Sequence, residues 1–257
     1  MTTATATRLA GGGSLSRPMA VAGLALAMLA LVVLAAGPLG WHAGLWHCRL
    51  GFRTLMPAAG YLGIAALLLS ASGALAGLHA RARRDIAIAL LGMLIGAGVT
   101  YFPWHWSNQR GVFPLVDDVT TDFANPPSLA FAASQRAAEG GNPTTYAFSQ
   151  FAAVQRRAYP DIVPALLAQP PATVFDKALA AVKARGWTVV RAEQSAGIIE
   201  AYDSSFWFGF TDDIALRITP HGDGSRVDIR SGARQGRGDF GANARRVQGF
   251  LMTLGGR

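Results

Sequence analysis

The chain has 257 residues, of which 51% are apolar and 15% charged, and its mean hydropathy is +0.28. This composition excludes a disordered chain or a coiled coil, and a single cysteine excludes a disulfide framework within the chain. The net charge of +8 is uneven: residues 1–102 carry seven Arg against Asp85 alone (+6), whereas residues 103–257 carry fourteen Arg and two Lys against fourteen acids (+2), too small a basic excess for a nucleic-acid-binding domain.

A tail, residues 1–17, precedes three apolar runs at 18–39, 55–78 and 86–102. Each approaches the ~20 residues that cross ~30 Å of hydrocarbon. The first is longer than the ~7–15-residue core of a cleaved signal peptide and two more follow, so it reads as a retained helix. Arg8, Arg17, Arg81, Arg83 and Arg84 fall on one side of the three spans, Arg49 and Arg53 on the other. The positive-inside rule then predicts a cytoplasmic tail in the inner membrane, with everything after Phe102 in the periplasm of a Gram-negative cell. Tyr101-Phe102-Pro103-Trp104-His105-Trp106, with Trp41 and Trp46, reads as an interfacial aromatic belt. Gly73-x-x-x-Gly77 and Gly92-x-x-x-Gly96 let helix backbones approach closely, either in a dimer or, as we prefer, among the three helices of one chain. No Asp, Glu, Lys or Arg lies inside a span, which argues against a transporter. His42, His47 and Cys48 are metal-ligand types but fit no closed zinc pattern, so no metal or cofactor is expected there.

From residue 103 the character changes. Residues 103–169 read as a loop-rich wrapping segment, punctuated by Pro126-Pro127 and Gly140-Gly141-Asn142-Pro143, with a short helix over 148–157. Its Phe113, Leu115, Phe123, Leu129 and Phe131 favour burial over the compact part. Residues 170–257 read as an α+β domain. Pro170-Pro171 opens a helix whose Val174, Phe175, Ala178, Leu179 and Val182 form one stripe, and Gly186 closes it. Runs at 187–192, 197–202, 214–219 and 226–231 read as strands, the last two alternating apolar and polar residues, with turns at 193–196 and 221–224. A last helix starts near Asp239, an N-cap residue, with Phe240, Ala244, Val247, Leu251 and Leu254 on one face. The expected architecture is three N-terminal transmembrane helices, then a two-layer α+β domain. In it two helices cover one face of an antiparallel sheet of about four strands.

Several blocks are familiar. Val116-Asp117-Asp118-Val119-Thr120-Thr121-Asp122 with Asn125-Pro126-Pro127, Ala158-Tyr159-Pro160-Asp161, the stretch from Asp203 through Phe206-Trp207-Phe208-Gly209-Phe210 to Asp212-Asp213, Ser225 to Ser231, and Gly238 to Arg246 occur in order. Over residues 113–254 they resemble the bacterial domain of unknown function 1499 family. The resemblance implies an envelope or membrane-associated protein and lends no catalytic residues. The order of helices and strands is also similar to helix-grip domains of outer-membrane assembly lipoproteins, an analogy of fold only.

The aromatic run Phe206-Trp207-Phe208 is the most unusual candidate site. It is either a contact surface for lipid or an apolar ligand, or, the reading we favour, a plug that fills the core. Asp203, Asp212 and Asp213 flank it, and Asp117, Asp118 and Asp122 lie upstream. They would bind a cation, act as acid and base, or, as we favour, pair with Arg217, Arg226, Arg230 and Arg234 across strands. Arg230, Arg234, Arg237, Arg245 and Arg246 would contact anionic headgroups if they share a face; Arg245 and Arg246 would otherwise be the solvated side of the last helix. Cys48 lies outside the domain, His105 and His221 are the only histidines after residue 102, and no nucleophile elbow or Walker loop occurs. The expectation is a non-catalytic domain that binds an envelope protein partner or lipid beside the lipid bilayer, without nucleic acid. The alternative is a carboxylate-based, metal-assisted hydrolase of an envelope substrate.

Overall fold

The computed structural model describes residues 15–255, so the first fourteen residues of the expected cytoplasmic tail lie outside it. The chain divides into two compact units between residues 108 and 109.

The first unit is helical. Helix α1 is Ser16–His42; α2 (Cys48–Leu50), a π-helical turn (Gly51–Leu55) and α3 (Met56–His79) run on as one 32-residue helix; α4 is Arg83–Asn108. All three long helices are long and apolar enough to cross a membrane. Where water is absent, backbone groups must pair within their own segment, and helices do this without a partner. Helix α4 starts before and runs past the expected 86–102, through Pro103 and the aromatic belt. The spaced glycines lie where the helices of this one chain touch. A Cβ on Gly73 would sit 2.6 Å from the Ala20 nitrogen, one on Gly92 3.1 Å from the Leu24 Cα, and one on Gly96 3.0 Å from the Gly63 oxygen. Leu29, Val32, Leu68 and Leu94 point outward and are exposed, as side chains facing lipid would be.

The second unit is α+β. A six-stranded antiparallel sheet runs in the order β1 (Asp118–Thr120), β6 (Gly224–Ala233), β5 (Thr211–His221), β4 (Ile198–Ser204), β3 (Thr188–Glu193), with β2 (Ala165–Leu167) also on β6. Strands β1 and β2 lie end to end along one edge of β6, opposite residues 230–232 and 225–227. Helices α7 (Pro171–Ala184) and α8 (Ala242–Leu254) cover one face of the sheet. That interface is the main core: Val174, Phe175, Ala178 and Val182 of α7 and Val247, Phe250 and Leu251 of α8 meet Ile199, Ile214, Leu216, Val227 and Ile229. Trp187 closes it by stacking on Phe250 at 5.7 Å. Gly186 adopts φ +75° just after α7 ends.

Four details differ from the sequence reading. Two three-residue strands, β1 and β2, come from the segment read as loop; so short a run carries no periodicity. Helix α8 starts three residues after Asp239, whose carboxylate still accepts the free N–H groups of Gly241 (2.8 Å) and Asn243 (2.5 Å). Of the five apolar side chains expected to seek cover, Leu129 is buried beside Ala132 and Ala215, whereas Leu115 is 73% and Phe131 43% exposed. Finally, the polar face of the sheet is not solvated. Residues 121–147, including α5 (Ala132–Ala138), cover it, so Arg136, Glu200, Asp213, Asp228 and Arg230 are all buried. Alternation with polar residues has the same period whether the second face meets water or a layer of matching charges.

Candidate functional site

Strand residues one apart point to opposite faces, and this separates the aspartates that the sequence sets side by side. Asp212 faces α8 and Asp213 the polar layer. Asp213 accepts from Arg136 Nε at 2.8 Å and from Arg234 Nη2 at 2.7 Å, and Arg234 also reaches Glu139 at 3.0 Å. Arg230 grips Asp118 with two bonds, 2.9 and 2.6 Å. Arg217 and Arg226 share Asp122 and Asp228. Burial works to raise the Asp122 carboxyl, but the Asn125 N–H, Arg217, the Ala124 N–H and Arg226 together hold it below the ordinary value.

On the helix side, Arg246 of α8 donates to Asp203 at 2.9 Å and lies 2.8 Å from Asp212. One guanidinium thus serves two carboxylates. Burial lifts the Asp212 carboxyl, against Arg246 and with the charges of Asp239 and Asp203. Among the described residues no arginine pairs with Asp117; Asn142 donates to it at 3.3 Å. Burial, then the charges of Asp118 and Asp239, against N–H groups including its own and that of Gly238, push its carboxyl up to about 6.

The late arginines therefore do not share a surface face. Arg230 and Arg234 are 3% and 8% exposed, and Arg246 is tucked under the hairpin; Arg237 and Arg245 are exposed. Sequence patterning marked all five because a buried, paired arginine and a surface arginine look alike in one dimension.

The β4–β5 hairpin carries the aromatic run. Ser205 closes its turn: its N–H donates to the Phe210 oxygen at 2.8 Å, its oxygen accepts from Gly209 at 2.9 Å, and its hydroxyl accepts from Phe210 at 2.9 Å. Gly209 takes φ +62°, which a side chain would strain. The turn sends Phe208 inward, 7% exposed, and leaves Phe206 and Trp207 outside, 81% and 60% exposed and edge to face at 5.4 Å. The core-plug expectation is corrected for these two rings. The sheet below them carries Asp203, Asp212 and Arg246 on one face and Asp213 and Arg234 on the other.

Three positions that sequence reasoning passed over also matter. Arg136 fills the polar layer; Gln155 of α6 (Phe148–Ala158), fully buried, gives and takes a hydrogen bond with Thr120 of β1; Asn243 bonds Ser231 and the Asp117 oxygen. None carries a sequence signal, since each acts through a partner at least twelve residues away. Phe123, Pro126, Tyr146 and Phe148 line a shallow open depression, with Arg156 over the Phe123 ring at 4.6 Å. His47 Nδ1 lies 3.4 Å from Cys48 Sγ, and among the described residues no three His, Cys, Asp or Glu are grouped to hold a metal ion.

A family model described as a protein of unknown function (DUF1499) matches residues 118–254, which span β1 to the end of α8. No curated protein compared with the chain matches it.

Proposed function

The chain belongs to the DUF1499 family of proteins of unknown function, and on that premise we propose that it is a multi-pass protein of the bacterial inner membrane whose second unit binds an envelope protein or lipid without catalysing a reaction. The observation that carries this reading is the hairpin tip. Phe206 and Trp207 stand exposed on a hairpin whose neighbouring carboxylates are paired with arginine. Large exposed rings beside neutralised charge favour contact with another apolar surface. Against acid–base chemistry stands the placement of Asp212 and Asp213 on opposite faces of β5, each held by arginine.

The arginine distribution, five on the tail side against two on the other, supports a cytoplasmic N-terminus and a periplasmic second unit. Two experiments test the proposal. Alkaline phosphatase fused after residue 257 is expected to be active, and a silent phosphatase with a fluorescent cytoplasmic reporter would reverse the orientation. A photoreactive phenylalanine at position 207 is expected to form an adduct in cells that the same group at Asp223, in the β5–β6 turn, does not form. Equal labelling at both positions would remove the hairpin as the contact element.

A further inference from the structure

We infer that the occupant of the aromatic hairpin is the headgroup zone of the same bilayer that holds the chain's own helices. This rests on the reading of α1, α3 and α4 as membrane anchors and on the hairpin as a contact element.

Register supplies the argument. Asp118 of β1 pairs with Gly232, Gly232 with Asp213, and Asp213 with Tyr202. These residues form one row across the sheet. Beyond the row, at one end of the sheet, lie both the start of β1 and the 205–210 turn. The chain that arrives from α4 therefore enters the second unit at the end from which Phe206 and Trp207 project. It does not loop in from the far end. A Cβ on Gly241 would touch the Phe113 ring at 2.8 Å, and one on Gly238 would touch Leu115 at 3.1 Å; both glycines lie in the segment that follows β6 at this same end.

Chain length sets the reach. Nine residues, 109–117, separate α4 from β1. Fully extended they span at most ~30 Å, and their first three form a 3₁₀ turn that shortens this. Strand β4 runs two residues beyond Tyr202, about 7 Å past the row at strand rise, and the Phe206–Trp207 turn lies beyond its end. So short a linker tethers the second unit at the end of the sheet that carries the aromatic hairpin.

The chemistry of the end fits that surface. In the entering segment Val112 and Leu115 are 67% and 73% exposed, and after β6 Arg237 and Arg245 are exposed. Aromatic rings settle at headgroup depth, and guanidinium groups above them meet phosphate. At the opposite end of the sheet the His221-Gly222-Asp223-Gly224 turn carries no Phe, Tyr or Trp.

The test uses the full chain in nanodiscs of phosphatidylcholine and phosphatidylglycerol, with the phosphatidylcholine then replaced by its chain-brominated form. The emission of Trp207 is taken as wild type minus Trp207→Phe, and Asp223→Trp in the Trp207→Phe background reports the far end. Bromine is expected to cut the Trp207 emission at least about twofold and to leave the Asp223→Trp emission unchanged. Equal quenching at both positions, or none at Trp207, overturns the inference. Absent quenching together with a protein adduct at position 207 in cells overturns the bilayer as occupant and keeps the binding reading. Absent quenching with no adduct overturns both.

Discussion

Replacing Asp213 with Ala removes the one carboxylate that Arg136 and Arg234 share inside the polar layer. Arg136 is 3% exposed and its Nε sits 2.8 Å from Asp213, where a unit pair at an effective dielectric of ~20 attracts by about 6 kcal/mol before desolvation is counted. After the substitution Arg136 loses its Nε bond and its counter-charge and keeps only backbone acceptors, the oxygens of Gly232, Asn142 and Pro143. Arg234 keeps Glu139 at 3.0 Å. The expected loss is about 3–5 kcal/mol, the usual cost of orphaning a buried charge. The orphan is Arg136. In double-mutant cycles, Asp213→Ala should therefore couple to Arg136→Met more strongly than to Arg234→Met, by about 1 kcal/mol or more. Urea unfolding of the full chain in detergent micelles, followed by near-ultraviolet circular dichroism, measures both quantities. A midpoint for Asp213→Ala within about 0.5 kcal/mol of wild type, or equal coupling to the two arginines, would refute the reasoning.

Three further outcomes follow from the same structure. Asp117 has its carboxyl raised from 3.8 to about 6, so the folded state binds the proton more tightly than the unfolded one. Stability from this group is full below about pH 4 and falls as pH rises through 6; Asp117→Asn should raise the unfolding free energy at pH 8 by roughly 1–2 kcal/mol after solvent screening, and not at pH 4, as urea unfolding at the two pH values would show. Gln155→Leu leaves the N–H and oxygen of Thr120 buried without their partner, and urea unfolding should show a loss of roughly 2–4 kcal/mol. Gly73→Ala forces α3 from α1, because its Cβ would lie 2.6 Å from the Ala20 nitrogen. A detergent thermal-melt series should show a clear drop for it and none for Gly98→Ala, whose Cβ would meet nothing within 4 Å.

What the sequence made legible is what has a period. The apolar runs, the stripes of α7 and α8, and the alternation in β5 and β6 each announced an element and the face it buries. The charge pairing of Asp with Arg was also readable, since alternating residues on neighbouring strands must face one another. The strand edges at 118–120 and 165–167 were not, because three residues fit any pattern. Nor was the covered state of the polar face, which depends on Arg136 and Leu129 arriving from a stretch without periodicity. The hairpin was found but half misread: a run of rings signals burial, and only the turn at Gly209 decides which ring turns inward.

The pairing of β1 bears on how the protein is made. Its partner is β6, so Asp118 waits for Gly232, more than a hundred residues later in synthesis. At ~5–20 residues per second the ribosome needs on the order of ten seconds to supply that partner. Through that interval the stretch just after the last long helix has a free strand edge and unmatched aspartates, in whichever compartment it emerges. The region nearest the anchor is thus among the last to lock, and a chain cut short before residue 224 would leave it permanently open to proteases.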